Sequence, residues 1–213
     1  MFHPLTGDLI RPRRGRGRGT RGGPVRASRL FGLSLAVLTL SACAAAPGPS
    51  FDPVGPCMVD GRTAGAYPAL ERRVPPTLGG RAPDTLDSGR NCTPQNLGTL
   101  AGHGITEVRF GGGIWGGDGS RGITLAVFQA PGLTAAWLGE WYEATARAAR
   151  HTTSFDPSGM LISGRQAYRL DVTNGDKVQT VIVWPSPDGD LVQVVLASDE
   201  TDEAISAAVA AFP

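Results

Sequence analysis

Lysine is almost missing from this 213-residue chain: Lys177 stands alone beside 19 arginines, the skew of a GC-rich coding sequence rather than of a functional choice. No Gly-Lys-Ser/Thr element is present, so the glycine-rich stretches lack the cation of a phosphate-binding loop. No G-x-S-x-G elbow occurs, which removes the commonest signature of a serine hydrolase. Histidine is limited to His3, His103 and His151, and cysteine to Cys43, Cys57 and Cys92, with no CxxC or HxxxH spacing for zinc. The most apolar run, Leu30–Leu40, is eleven residues long. As a helix it rises about 16 Å, half a bilayer core and too short to span one.

What is present organises around that run. Arg26 and Arg29 precede it as the positive flank of an export signal, and it ends in Leu40-Ser41-Ala42-Cys43. Small residues suit a peptidase slot, and the cysteine offers a thiol for acylation. These four positions resemble the lipobox of bacterial lipoprotein precursors. The resemblance implies a diacylglyceryl group on Cys43, cleavage before it, and a mature protein lipid-anchored on the extracytoplasmic face of the cell membrane. The alternative is an ordinary secretory signal cut at an A-x-A-like site, with Cys43 incidental. The preceding Arg/Gly tract, Arg11 to Arg21, reads as an overlong flank or as untranslated sequence ahead of a start at Val25, and residues 1–42 are set aside from fold reasoning.

Discarding residues 1–42 removes eight arginines and one acid, leaving 12 basic and 18 acidic residues, a net charge of −6. Nucleic-acid binding needs clustered Lys and Arg, so no nucleic-acid partner is expected. A polybasic grip on anionic lipid is excluded on the same ground. Residues 43–56 carry four prolines without periodicity and read as a lipidated cysteine followed by a flexible tether. Residues 57–213 are the right size for a single domain.

With Cys43 acylated, Cys57 and Cys92 form an even pair in an exported protein, most simply a disulfide closing a Pro/Gly-rich segment. Regular structure before Cys92 is expected to amount to a turn or two near residues 68–73. Thr93-Pro94 starts a short helix with Leu97 and Leu100 inward. Strands are expected at 105–110, 123–129, 160–163, 166–173, 178–184 and 191–197, with Asn174-Gly175 and Pro187-Asp188-Gly189 marking turns. Helices are expected at 134–150, capped by Thr134, and at 201–212, with acids crowding its N-terminus. The fold class is therefore α+β: an antiparallel sheet with two main helices packed against it, in ββαβββα-type order.

The element order, Ser163-Gly164-Arg165-Gln166-Ala167 entering a strand, and the acidic lead into a final helix resemble the PsbP-like fold carried by several bacterial lipoproteins. The resemblance spans residues 105–212 and implies a binding or assembly module rather than a particular chemistry.

The segment 111–122, with seven glycines, reads as a long hairpin loop. Its Trp115 either folds back onto the sheet or meets a partner, so Gly113, Trp115, Gly116, Asp118 and Arg121 form the candidate binding loop. His103 and His151 have structural readings, and the acids at 188–203 lack the alternating spacing of a calcium loop. Asn91-Cys92-Thr93 matches a glycosylation acceptor, which the bacterial context implied by the lipobox resemblance and the expected disulfide at Cys92 leave without meaning. No catalytic residue, metal ligand or cofactor is assigned. The reading leans toward a non-enzymatic binding or accessory lipoprotein whose partner is a protein or small molecule. An envelope hydrolase assembled from scattered residues and a structural lipoprotein are the alternatives.

Overall fold

The computed structural model describes residues 50–116, 121–187, 189 and 191–213. Cys43, the export segment before it and Asp118 of the candidate loop lie outside these residues. Within the described residues eight strands form one antiparallel sheet: β1 (Gly61–Thr63), β2 (Thr85–Asn91), β3 (Val108–Trp115), β4 (Gly122–Gln129), β5 (Thr152–Ile162), β6 (Arg165–Asn174), β7 (Lys177–Pro185) and β8 (Val192–Ser198). Their spatial order is β1-β2-β3-β4-β8-β7-β6-β5. Among the described residues five helices accompany them: α1 (Pro68–Glu71), α2 (Pro94–Leu97), α3 (Thr99–Gly102), α4 (Ala135–Ala148) and α5 (Asp202–Ala210).

The α+β class and the disulfide-closed leading segment stand as expected. The element order is longer. The four strands expected between α4 and α5 are present, one more than the short form ββαβββα counts, and β1 and β2, which were not expected, extend the sheet on the far side of β3. β2 escapes a periodicity reading because its buried positions are Ser88, Gly89 and Arg90 rather than apolar side chains. Among the described residues no helix is long and apolar enough to cross a membrane.

Helices cover both faces of the sheet. Alternation along β6 puts Tyr168, Leu170 and Val172 on one face, where they meet Leu138, Trp141 and Tyr142 of α4. Leu97 of α2 and Leu100 of α3 join that layer. The opposite face packs Leu125, Val127, Ile182 and Val195 against Ile205 and Ala208 of α5 and Leu70 of α1. Central β4 is buried on both faces, which is why its sequence ITLAVFQ runs almost without polar breaks. Each fully buried Leu, Val or Phe contributes about 1.5–3 kcal/mol relative to exposure.

The connections follow local chemistry. Ile162 pairs with Arg165 across a two-residue turn in which Ser163 (φ 49°) and Gly164 (φ 74°) both adopt left-handed backbone. The Asn174-Gly175 signal does mark a hairpin, but Asn174 pairs with Lys177, so Gly175 and Asp176 are the central residues. Thr134 and Thr201 cap α4 and α5, accepting hydrogen bonds from the amides of Trp137 and Ala204. Asp199, another non-glycine residue at positive φ, is held there by the Val178 amide at 2.8 Å and by Lys177 at 3.1 Å.

Candidate binding groove

A depression of about 650 Å³ lies where the approach to β3 meets the end of β4. Residues 104–107 form one wall, Arg109 lies on β3, and Gln129 to Pro131 close the other side. Arg109 and Gln129 are direct cross-strand partners, so antiparallel register projects both side chains from the same sheet face. A groove of this size with a few convergent polar groups has the features of a ligand site.

Its charges belong to a connected set. Arg109 Nε donates to Glu107 Oε1 at 2.7 Å, while the Arg109 guanidinium sits 5.1 Å over the Tyr67 ring. The hydrogen bond to Glu107 raises the Arg109 pKa further. Glu107 Oε2 also lies 3.6 Å from Nη1 of Arg90. Burial raises the Tyr67 phenol above its ordinary value, although Arg90 and Arg109 nearby pull the other way.

Arg90 is only 2% exposed and is committed to backbone oxygens. Its Nη1 donates to the Gly55 carbonyl at 2.9 Å, and Nη2 donates to those of Asp52 and Pro56 at 2.7 and 3.0 Å. Tyr67 Oη adds a bond to the Pro53 carbonyl at 3.3 Å. The described end of the expected tether is therefore fastened to β2, immediately beside the groove. The Cys57–Cys92 disulfide, with Cα atoms 6.0 Å apart, locks the same corner. Asp60 completes it: Oδ1 accepts from the amides of Cys92 and Thr93 at 2.6 and 2.9 Å, and Oδ2 accepts from Thr93 Oγ1 and from Asn96. Thr93 does not cap α2 with its own side chain; its hydroxyl is turned to Asp60.

The glycine-rich stretch behaves differently from its sequence expectation. Gly111, Gly112 and Gly113 are strand residues, and the connection is confined to residues 116–121. Trp115 takes the folded-back alternative: it is 6% exposed and its Nε1 donates to the Arg81 carbonyl at 2.9 Å. Gly116, at φ 74°, donates its amide to Asp84 Oδ2 at 2.7 Å. Arg121 lies 3.5 Å from Glu200. Gly113, Trp115, Gly116 and Arg121 thus stabilise the strand end, and none of them lines the groove.

His103 stacks on Trp137 with ring centroids 4.5 Å apart, and its Nε2 lies 2.7 Å from Glu140 Oε2. His151 is exposed just before β5. Among the described residues no group of three or more His, Cys, Asp or Glu side chains is placed to hold a metal. The groove residues Glu107, Arg109 and Gln129 and their support, Arg90 and Tyr67, carry no linear motif. Val108-Arg109-Phe110 reads only as strand alternation, and the pairing that brings Arg90 to Glu107 is set by β2–β3 register. No protein-family model matches this chain, and no curated protein matches it.

Proposed function

We propose that this protein is a non-enzymatic binding module of the cell envelope, lipidated at Cys43 and presenting the Arg109–Gln129 groove close to the membrane surface. The observation that carries the reading is the shared ion network. Glu107 pairs with Arg109 in the groove and with Arg90, and Arg90 grips the last residues of the tether. Eight residue steps separate Cys43 from Phe51, a reach of at most about 26–29 Å. A lipid on Cys43 would hold the groove within that distance of the bilayer, plus the width of the docked corner.

The groove supplies a half-exposed guanidinium, a carboxamide and the Thr106 hydroxyl around the apolar patch of Ile105 and Pro131. That set recognises a polar ligand with hydrogen-bond acceptors, either a small molecule or a segment of an envelope partner. The relation to PsbP-like lipoprotein domains is part of the same proposal, supported by an antiparallel sheet between helices and by the role of such domains as binding and assembly modules.

The test is native mass spectrometry of the detergent-extracted protein. A bound species retained by the wild type and lost in both Arg109→Gln and Gln129→Ala is the expected result. An empty wild-type groove, or a bound species indifferent to both substitutions, overturns it.

A further inference from the structure

A second cavity, independent of the groove, opens between α5 and the half of the sheet formed by β5 to β8. It encloses about 390 Å³, within the range of small-ligand sites. Its apolar walls are Ile162 at the end of β5, Trp184 on β7, Val209 on α5 and Phe212 just beyond it. Trp184 and Phe212 meet edge to face, with centroids 5.3 Å apart, which presents aromatic surface at a defined angle.

Two polar groups in this lining are unusual. Gln193, on β8, sits between Trp184 of β7 and Val127 of β4 in the cross-strand register. It is 3% exposed, and its Oε1 is buried without a hydrogen-bond partner among the described residues. Buried amide oxygens are nearly always paired, so an orphan one on a side chain that lines a cavity calls for an explanation. A half-turn of the terminal amide exchanges its oxygen and nitrogen, so an incoming donor can be met by the acceptor. Arg165, the first residue of β6, lines the same cavity and makes no ion pair or side-chain hydrogen bond with any described residue. A guanidinium left in that condition is a ready partner for a planar carboxylate.

We propose that this cavity is a binding site for a small aromatic carboxylate that carries its own hydrogen-bond donor. The ring packs on Trp184 and Phe212, the carboxylate pairs with Arg165, and the donor satisfies the carboxamide of Gln193. The apolar walls supply affinity, while the two polar groups set orientation and specificity. A site built to receive a donor rejects the analogue that lacks it, because the buried acceptor is then left unpaired.

The experiment is calorimetric titration of the detergent-extracted full protein with 4-hydroxyphenylacetate, phenylacetate and 4-hydroxyphenylacetamide. The hydroxyl-bearing acid binds at least tenfold tighter than phenylacetate, and the uncharged amide binds tenfold or more weakly than the acid. Gln193→Leu, whose fold is checked by thermal melting, erases the difference between the two acids. Arg165→Gln, at the partly exposed mouth, weakens both acids and leaves the melting temperature unchanged. Arg109→Gln, in the groove, leaves all three affinities unchanged, so failure of the groove reading and failure of this one are separable. Absence of binding by all three probes overturns the proposal, as does binding that is indifferent to Arg165→Gln and Gln193→Leu. Loss of binding in Arg109→Gln also overturns it, by moving the ligand to the groove.

Discussion

The indole of Trp115 lies directly across Gly113: a β-carbon added at Gly113 would sit 2.8 Å from the ring. Two residues along the same strand share one sheet face, and the smaller makes room for the larger. Gly111 does the same for α1, where a β-carbon would meet the Leu70 backbone at 2.9 Å. The glycines are therefore a packing surface rather than a flexible connection. Gly113→Ala is expected to cost about 1–3 kcal/mol through overpacking, and Trp115→Ala about 3–5 kcal/mol through the cavity left behind. Urea denaturation of the two variants measures both. A Trp115→Ala protein as stable as the wild type would contradict the packing role.

Arg90 predicts the behaviour of the tether. Removing it in Arg90→Met abolishes three charge-assisted bonds to the carbonyls of Asp52, Gly55 and Pro56, each contributing about 1.5–3 kcal/mol when made singly. It also leaves Glu107 without that cation. Limited proteolysis is expected to cut within residues 51–56 much faster in the variant, while the rest of the domain persists. Equal cleavage rates would show that the fastening lies elsewhere.

The disulfide closes a loop of 35 residues, for which chain entropy predicts roughly 4 kcal/mol of stabilisation. The double variant Cys57→Ser/Cys92→Ser should lose about that much in chemical denaturation. The segment it encloses contains β1, α1 and β2, whose strand burial is mostly polar or glycine. Protection from hydrogen exchange should fall first there and only later in β4 and β8.

Asp60 gives a pH prediction. Burial pulls its pKa up, but bonds from Thr93, the Cys92 and Thr93 amides and Asn96 outweigh that and hold it below the ordinary 3.8. The unfolded chain therefore binds this proton at a higher pH than the folded one. The stabilisation is complete above the unfolded value and is lost as pH falls through the lowered folded value. Asp60→Asn should destabilise the protein by about 1–3 kcal/mol at neutral pH and flatten the acid limb of its stability curve below pH 4. An unchanged acid limb would contradict the assignment.

Much of the frame was legible because periodicity and burial agreed. β4, β6, β7, β8, α4 and α5 follow apolar patterns that their packing uses directly, and Thr134 caps α4 where the sequence places it. β2 was not legible, since Ser88, Gly89 and Arg90 occupy inward positions that apolar residues normally fill. β3 was shifted toward its glycines because their lack of side chains, which reads as a loop, is what lets Trp115 and α1 approach. The groove and the second cavity were hidden for a different reason. Glu107, Arg109 and Gln129, like Arg165, Trp184 and Gln193, converge only through strand register.

The measurement that bears most directly on the account is the intact mass of the protein extracted from membranes. Lipidation at Cys43 predicts a chain that begins at that residue and carries a diacylglyceryl group on it. A chain that keeps residues before Cys43, or a mature protein recovered from the soluble fraction with an unmodified Cys43, would contradict it.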